Sequence, residues 1–402
     1  MNKKSKSGVL RKTGWVAGLA LLVFVAMGLY VYSIGKRTML EHAETLTLRR
    51  LSVSQAGDDA FRFFYATNRQ AGARTNDIKD RYLPSRESTL KFGSFDTSIE
   101  PSLGLGIIID PSKWLLNEEI KLLDAQSLQR EQFIGQLRQQ VEASPERSLL
   151  IVVHGFREAY PSALRKTAFL AHVLDINTPV LLFDWPGDQG GSLRGYRRAR
   201  SVATESGQEL AAMLRLVIDE VQPQRLWLMA NSMGGQVVVK AFSELYREAR
   251  YADSQTEIEN VILTAADVDH TEFNEQFKQE IKSLSDNTTV YVSSNDRALF
   301  ASRLINRGRR LGESTVNPGN PDLFEQGAAF SDLLEQDSNQ LVLVDVTPVN
   351  RTRNFHNFSL ETPEFFDDLF LRFTGKELPQ TRELYSVRTE KGVPYYVLTR
   401  GR

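Results

Sequence analysis

Leu226-Trp227-Leu228-Met229-Ala230-Asn231-Ser232-Met233-Gly234-Gly235 is an apolar run that passes through a turn of small residues directly into a helix starting near Gln236. In a nucleophile elbow the serine sits on a strained strand-to-helix turn, so the residues two positions to either side must let the backbones approach. Ala230 and Gly234 meet that need. Such a turn lifts the Ser232 hydroxyl above the sheet and sets it at a helix N-terminus, where a developing anion is stabilised. An A-x-S-x-G string alone also fits an ordinary structural serine. The placement of this one between an apolar run and a helix is what gives it weight.

Working outward, short β-rich runs occur at 149–153, 180–183, 226–229, 261–263 and 290–292, separated by stretches long enough for helices, and a sixth at 341–346 follows a longer insertion. Near-continuous apolar runs of this length read as strands buried on both faces, hence a mostly parallel sheet covered by helices on both sides. Leu210, Leu214, Val217 and Val221 form one helical stripe that ends before Pro223, and Val238, Phe242 and Leu245 form another. Thr362 and Pro363 supply an N-cap and first turn for a helix that buries Phe365, Phe366, Leu369, Phe370 and Phe373. The class is therefore α/β, with one domain over 61–373. A first strand is expected at 61–65. Residues 69–95, rich in charge, Gly and Ser, read as irregular. Residues 311–339 read as an insertion, either a lid or a long loop, and 374–402 as a tail with a β-hairpin laid on the surface.

A serine nucleophile needs a base, and the chain has five histidines. His42 precedes the domain, His172 falls in a helical segment, His270 follows the 261–263 run, and His154 ends the 149–153 run. His356 stands after the last strand. Where an elbow serine is carried on a parallel sheet, chain order runs serine, acid, histidine, which favours His356 over a plain surface-loop role. For the acid, Asp296 stands past the second strand after the serine, and Asp267 and Asp269 past the first; the same order favours Asp296 and leaves the earlier pair as alternatives. Asp296 is also placed to cap a helix starting near Ala298. Asp267, Asp269 and His270 invite a metal reading, but no ligand spacing supports one, and neither metal nor cofactor is expected. The oxyanion donors of such a site are the amide after the nucleophile, Met233, and one from the loop His154-Gly155-Phe156, the Phe156 amide. His154 is expected to orient that loop rather than to exchange protons.

Phe64-Tyr65-Ala66-Thr67-Asn68-Arg69, Val153-His154-Gly155-Phe156, Phe183-Asp184-Trp185-Pro186, Asn231-Ser232-Met233-Gly234 and Ser293-Ser294-Asn295-Asp296-Arg297-Ala298-Leu299 together resemble the α/β-hydrolase superfamily, and within it a poorly characterised bacterial esterase- or lipase-like family. The similarity spans about residues 61–373. It implies the α/β-hydrolase fold and a triad of Ser232, Asp296 and His356. The chain departs from the pattern in Ala230, where glycine is usual, and in Asn231, where histidine is commoner; neither removes a reacting group.

The N-terminus carries a different signal. Lys3, Lys4, Lys6, Arg11 and Lys12 precede an uncharged run of 21 residues, 14–34, with Trp15, Tyr30 and Tyr32 near its two ends. At about 1.5 Å per residue this run is long enough for the roughly 30 Å hydrocarbon core, and it reads as one transmembrane signal-anchor. The basic segment 1–13 then lies in the cytoplasm and the rest is translocated to the periplasmic or extracellular side. The rival is secretion after cleavage of a signal peptide. Residues 35–60 read as a linker.

A formal charge of −1, from 49 basic and 50 acidic side chains, gives no polyelectrolyte signature and excludes nucleic acid as a default partner. The absence of cysteine excludes disulfides, thiolate metal sites and a cysteine nucleophile. Arg194, Arg197, Arg198 and Arg200, and later Arg303, Arg307, Arg309 and Arg310, read as solvated helix faces or as an attraction for an anionic lipid head group. The expectation is a membrane-anchored serine hydrolase acting on a small-molecule or lipid ester, with thioester and amide as neighbouring chemistries. A binding or scaffold protein that keeps the fold is the alternative.

Overall fold

Among the described residues eight strands run parallel through the centre of the sheet, and three of them, 148–153, 180–184 and 341–345, are so nearly apolar throughout that neither face can meet water. A computed structural model describes residues 51–57, 60–73, 77–99, 120–253, 256–313, 341–352, 356–374, 384–388 and 394–399. The strands are β1 Ala60–Ala71, β2 Tyr82–Ile99, β3 Ile120–Leu128, β4 Ser148–Val153, β5 Val180–Asp184, β6 Arg225–Asn231, β7 Ile258–Thr264, β8 Ser285–Val292, β9 Leu341–Asp345, β10 Leu384–Arg388 and β11 Pro394–Leu398. They form one sheet in the order β10-β11-β9-β8-β7-β6-β4-β5-β1-β2-β3. Pairing is parallel from β11 to β1 and antiparallel at the ends, β1 with β2, β2 with β3, and β10 with β11. Every residue of β4, β5 and β9 is buried. Along β4, Leu149, Ile151 and Val153 enter the core on one face, and Leu150 and Val152 the core on the other.

This topology makes the site. The chain goes from β4 to its neighbour β5, then crosses back to pair β6 on the other side of β4, with Val153 opposite Ala230. The ends of β4 and β6 thereby flank the point where the winding reverses, the place where open α/β sheets bind ligands. The helix Gly234–Tyr246 follows the elbow, and Arg297–Asn306 follows β8. Phe358–Glu361 and Pro363–Thr374 follow β9. In the last of these, Phe365, Leu369 and Phe373 are fully buried, as the sequence pattern requires.

Two expectations are corrected. Residues 69–95 are not irregular: β1 continues through Asn68 and Arg69 to Ala71, and β2 occupies 82–99. The charges that hid β2 are satisfied across its exposed part, Arg86 by Glu209 and Glu205, and Lys91 by Glu87. The C-terminal hairpin does not lie on the surface; β11 pairs in parallel with β9 and extends the sheet. Strand β3 and the helix Arg130–Ala143 had no counterpart in the sequence reading, although Phe133, Ile134, Leu137 and Val141 form a buried stripe at helical spacing. The segments 1–13 and 14–34, most of the 35–60 linker and the insertion beyond Glu313 lie outside the described residues. Among the described residues, no helix is long and apolar enough to cross a membrane.

Candidate active site

Ser232 adopts φ +54°, the left-handed region that a residue with a Cβ enters at a cost of about 1–3 kcal/mol. Three hydrogen bonds hold it there: its N–H donates to the Thr264 carbonyl at 2.9 Å, and its carbonyl accepts from Gly235 N and Asp267 N at 3.0 Å each. The small residues around it have distinct duties. A Cβ on Gly234 would lie 2.6 Å from the His154 carbonyl oxygen and 2.7 Å from that of Val153, so only glycine lets the elbow press against the end of β4. Ala230 is buried in the core, where a methyl is accommodated. The Asn231 side-chain oxygen accepts from the Thr264 hydroxyl at 3.0 Å, tying the elbow to β7.

His356, carried on the segment between β9 and Phe358–Glu361, approaches from the opposite side. Its Nε2 is 2.9 Å from Ser232 Oγ and its Nδ1 is 2.7 Å from Asp296 Oδ2. Asp296 has the two roles the sequence left open, because a carboxylate has two oxygens: Oδ1 accepts from Ala298 N at 2.9 Å and Leu299 N at 3.0 Å, capping Arg297–Asn306, while Oδ2 faces the imidazole. The Asp296 side chain is fully buried and that of His356 is 17% exposed, so the pair interacts with little screening. Burial alone would lower the His356 pKa. The charge and hydrogen bond of Asp296 outweigh it and raise the imidazole above its ordinary value.

The alternative acids are engaged elsewhere. Asp267 Oδ2 accepts from the Tyr196 hydroxyl at 2.7 Å and Oδ1 from the Ser302 hydroxyl at 2.6 Å. Burial and the Asp267 charge push the Tyr196 phenol up to about 12. Asp269 caps the short helical turn His270–Glu272 through Thr271 N and Glu272 N. Tyr196 and Ser302 were not singled out from the sequence, and no local motif marks them. Of the other histidines, His172 sits on the helix Tyr160–Leu174 with its ring edge toward Phe61, and His42 lies outside the described residues.

The loop after β4 is fixed by a buried ionic network. His154 stacks on Trp185, its Nε2 is 3.1 Å from Asp184 Oδ1, and its carbonyl accepts from the Trp185 indole at 2.7 Å. Arg69, 1% exposed, donates to Asp184 at 2.8 Å, to Asp188 at 2.5 Å and to the Glu158 and Trp185 carbonyls at 2.7 and 2.9 Å. Burial would push Asp184 up, but Arg69 and His154 hold its carboxyl below the usual carboxylate range. One guanidinium thus ties the loops after β4 and β5 to β1, holding the first of them at Glu158, two residues past Phe156. In the elbow, backbone bonds are donated by Ser232 N, Gly235 N and Gln236 N, and none of these turn bonds comes from Met233 N. Ser232, His356, Phe156 and Asp267 line one cavity of about 450 Å³, walled by Leu170, Leu193, Tyr196, Leu299, Ile305 and Leu360.

Residues 129–352 match the model of a family described as alpha/beta hydrolase of unknown function (DUF900). No curated protein matches the chain. Among solved structures, similarity extends to XC6422 of Xanthomonas campestris, described as an α/β serine hydrolase without lid (17% identity over 58% of this chain and 84% of that one, TM-score 0.32). It extends also to a candidate hydrolase of Agrobacterium vitis S4 (14% identity, 72% and 95% of the two chains, TM-score 0.31). A third is phospholipase PlaB of Legionella pneumophila (15% identity, 51% and 40%, TM-score 0.20).

Proposed function

Since the chain belongs to the DUF900 family of alpha/beta hydrolases, we propose that it is a serine hydrolase cleaving a carboxylic ester or related acyl bond through an acyl-enzyme. The observation that carries this reading is the unbroken pair of hydrogen bonds from Ser232 through His356 to Asp296. With Nδ1–H donated to Asp296, Nε2 of neutral His356 is the acceptor, and the Ser232 hydroxyl donates to it. Ser232 Oγ attacks the acyl carbon while His356 takes its proton. The Met233 and Phe156 amides hold the oxyanion. His356 then returns the proton to the departing alkoxide, and a water activated by the same nitrogen releases the acid. Asp296 stays ionised and stabilises the imidazolium.

Most of the cavity's surface is apolar, with Arg157, Glu158 and Lys166 also on its wall, which suits an acyl chain beside a polar group. In this proposal residues 14–34 anchor the enzyme in a membrane with the N-terminus cytoplasmic. A fluorophosphonate probe tests the chemistry: wild-type protein is labelled and Ser232→Ala is not, with both folded by circular dichroism. Folded wild-type protein that escapes labelling and leaves p-nitrophenyl acetate intact sinks the proposal and favours a binding protein on the same fold.

A further inference from the structure

Large apolar side chains exposed to solvent are few among the described residues: Leu83, Leu123, Leu193, Phe300, Leu304 and Tyr385. Three of the six belong to the two helices at the mouth of the Ser232 cavity. Leu193 opens the helix Leu193–Leu216 and itself lines the cavity; Phe300 and Leu304 lie one turn apart on Arg297–Asn306, whose Ala301 and Ile305 line it. These helices are bonded side by side, through Tyr196 Oη to Ser302 Oγ at 2.8 Å, Asn306 Nδ2 to Tyr196 Oη at 2.9 Å, and Arg200 to Asn306. The exposed leucines and phenylalanine are therefore a feature of one rim. Leu193 and Phe300 are each 49% exposed and Leu304 65%. Apolar groups left in water together, beside a cavity, mark a surface that meets something apolar.

Charge says what that is. Across 193–203 and 297–308 the chain carries Arg194, Arg197, Arg198, Arg200, Arg297, Arg303 and Arg307 and no acidic residue. Arg194, Arg197, Arg198 and Arg297 are exposed. The Arg303 guanidinium lies 4.8 Å above the Phe300 ring and is paired with Glu313 at 3.6 Å, so the positive charge of the rim comes mainly from the exposed arginines of the helix Leu193–Leu216. Apolar side chains ringed by arginines match the two layers of an anionic bilayer, acyl chains beneath phosphates. A protein partner would need acidic residues set around an apolar knob, whereas a lipid surface supplies both without a shaped counterpart.

We propose that this rim docks on an anionic phospholipid surface, with Leu193, Phe300 and Leu304 in the acyl region and the arginines at the headgroups. The cavity then takes its acyl substrate from the bilayer, a consequence that rests on the hydrolase reading; the docking does not. The anchor expected at 14–34 would bring the domain near such a surface, and the rim supplies a face to meet it.

The chain has no cysteine, so single labels can be placed in the full-length protein. Leu304→Cys and, on the outermost strand β3, Leu123→Cys each receive an environment-sensitive nitrobenzoxadiazole dye. Each is added to vesicles of phosphatidylglycerol and phosphatidylcholine with brominated acyl chains. Docking predicts a blue-shifted gain of fluorescence at 304 that is smaller in the brominated vesicles than in the same vesicles without bromine, with no such difference at 123, and loss of the difference at 304 when Arg194 and Arg197 are changed to Glu. Equal responses at the two positions overturn the proposal, as does a dye at 304 already blue-shifted without vesicles, which would mean that the chain or a second copy covers the rim. Quenching unchanged in pure phosphatidylcholine overturns the role of the arginines. Fluorophosphonate labelling of the same samples keeps the two readings apart: labelled protein without quenching loses only the docking, and quenched protein without labelling loses only the hydrolysis.

Discussion

Asp296 divides its two oxygens between a helix and an imidazole, so two substitutions at one position separate stability from catalysis. Asn is as good an N-cap as Asp. In Asp296→Asn the side-chain oxygen keeps the bonds from Ala298 N and Leu299 N, which turns the amide NH₂ toward His356 Nδ1. That nitrogen must then accept, the ring proton moves to Nε2, and the nitrogen facing Ser232 is no longer a base. A wrong-tautomer histidine in a triad costs about 10⁴-fold in kcat. The fold loses the ionic part of one buried pair but keeps the cap. Asp296→Ala loses both, and the cap alone is worth about 0.5–2 kcal/mol. Initial rates on p-nitrophenyl acetate and urea unfolding measure the two quantities on the same preparations. Both variants are expected to be inactive, with Asp296→Ala the less stable of the two. A kcat for Asp296→Asn within about tenfold of wild type would show that another carboxylate, such as Asp267 of the same cavity, orients the base, since the wrong tautomer alone costs far more. Equal stability of the two variants would refute the capping role.

Three further outcomes follow from the same geometry. Gly234→Ala places a methyl against the carbonyl oxygens of Val153 and His154, and this overpacking costs about 1–3 kcal/mol by urea unfolding with a fall in kcat; an unchanged midpoint and rate would contradict the close approach. With neutral His356 as the proposed base and its pKa raised by Asp296 against burial, kcat/KM should rise with pH through a value above the ordinary histidine range. The stability that the Asp296–His356 pair gives is fully present below the unfolded histidine pKa and lost as pH rises through the folded one; an acid limb at or below the ordinary range would refute both. Arg69→Ala leaves Asp184 buried without its guanidinium and should cost about 3–5 kcal/mol, and where the variant stays folded, kcat should fall more than KM rises, because the Phe156 loop loses its tie. Wild-type kcat in that variant would separate Arg69 from the oxyanion loop.

What the sequence made legible and what it hid divide along a physical line. β4, β5 and β9 could be read because a strand buried on both faces has only one way to be written, as uninterrupted apolar residues. The elbow could be read because steric exclusion at Gly234 permits only a small residue there. Chain order then narrowed five histidines and three acids to a set that lies within two hydrogen bonds of Ser232. β2 was hidden because its Arg86, Glu87 and Lys91 resemble loop charge, and only the folded chain shows Arg86 meeting Glu209 of another element. Arg69 closes one of the motifs that carry the resemblance, but its role was hidden for the same reason: an arginine with four partners near the end of β1 is spelled like one in solvent.

The distinction has a consequence for how this site is built. The residues nearest the reacting atoms are constrained locally, by turn geometry and hydrogen-bond reach, and so leave a signature in short stretches of chain. The residues that hold the loops after β4 and β5 act across more than a hundred positions, Arg69 on Asp184 and Trp185, and are constrained only by the pairing of β1 with β5 that brings them together. Thr67, opposite Asp184 in that pairing, donates to the same carboxylate at 2.9 Å, so the register of two strands and the charge balance beneath the loop are a single constraint. A one-residue slip of β1 would turn Thr67 to the other face of the sheet and break both at once.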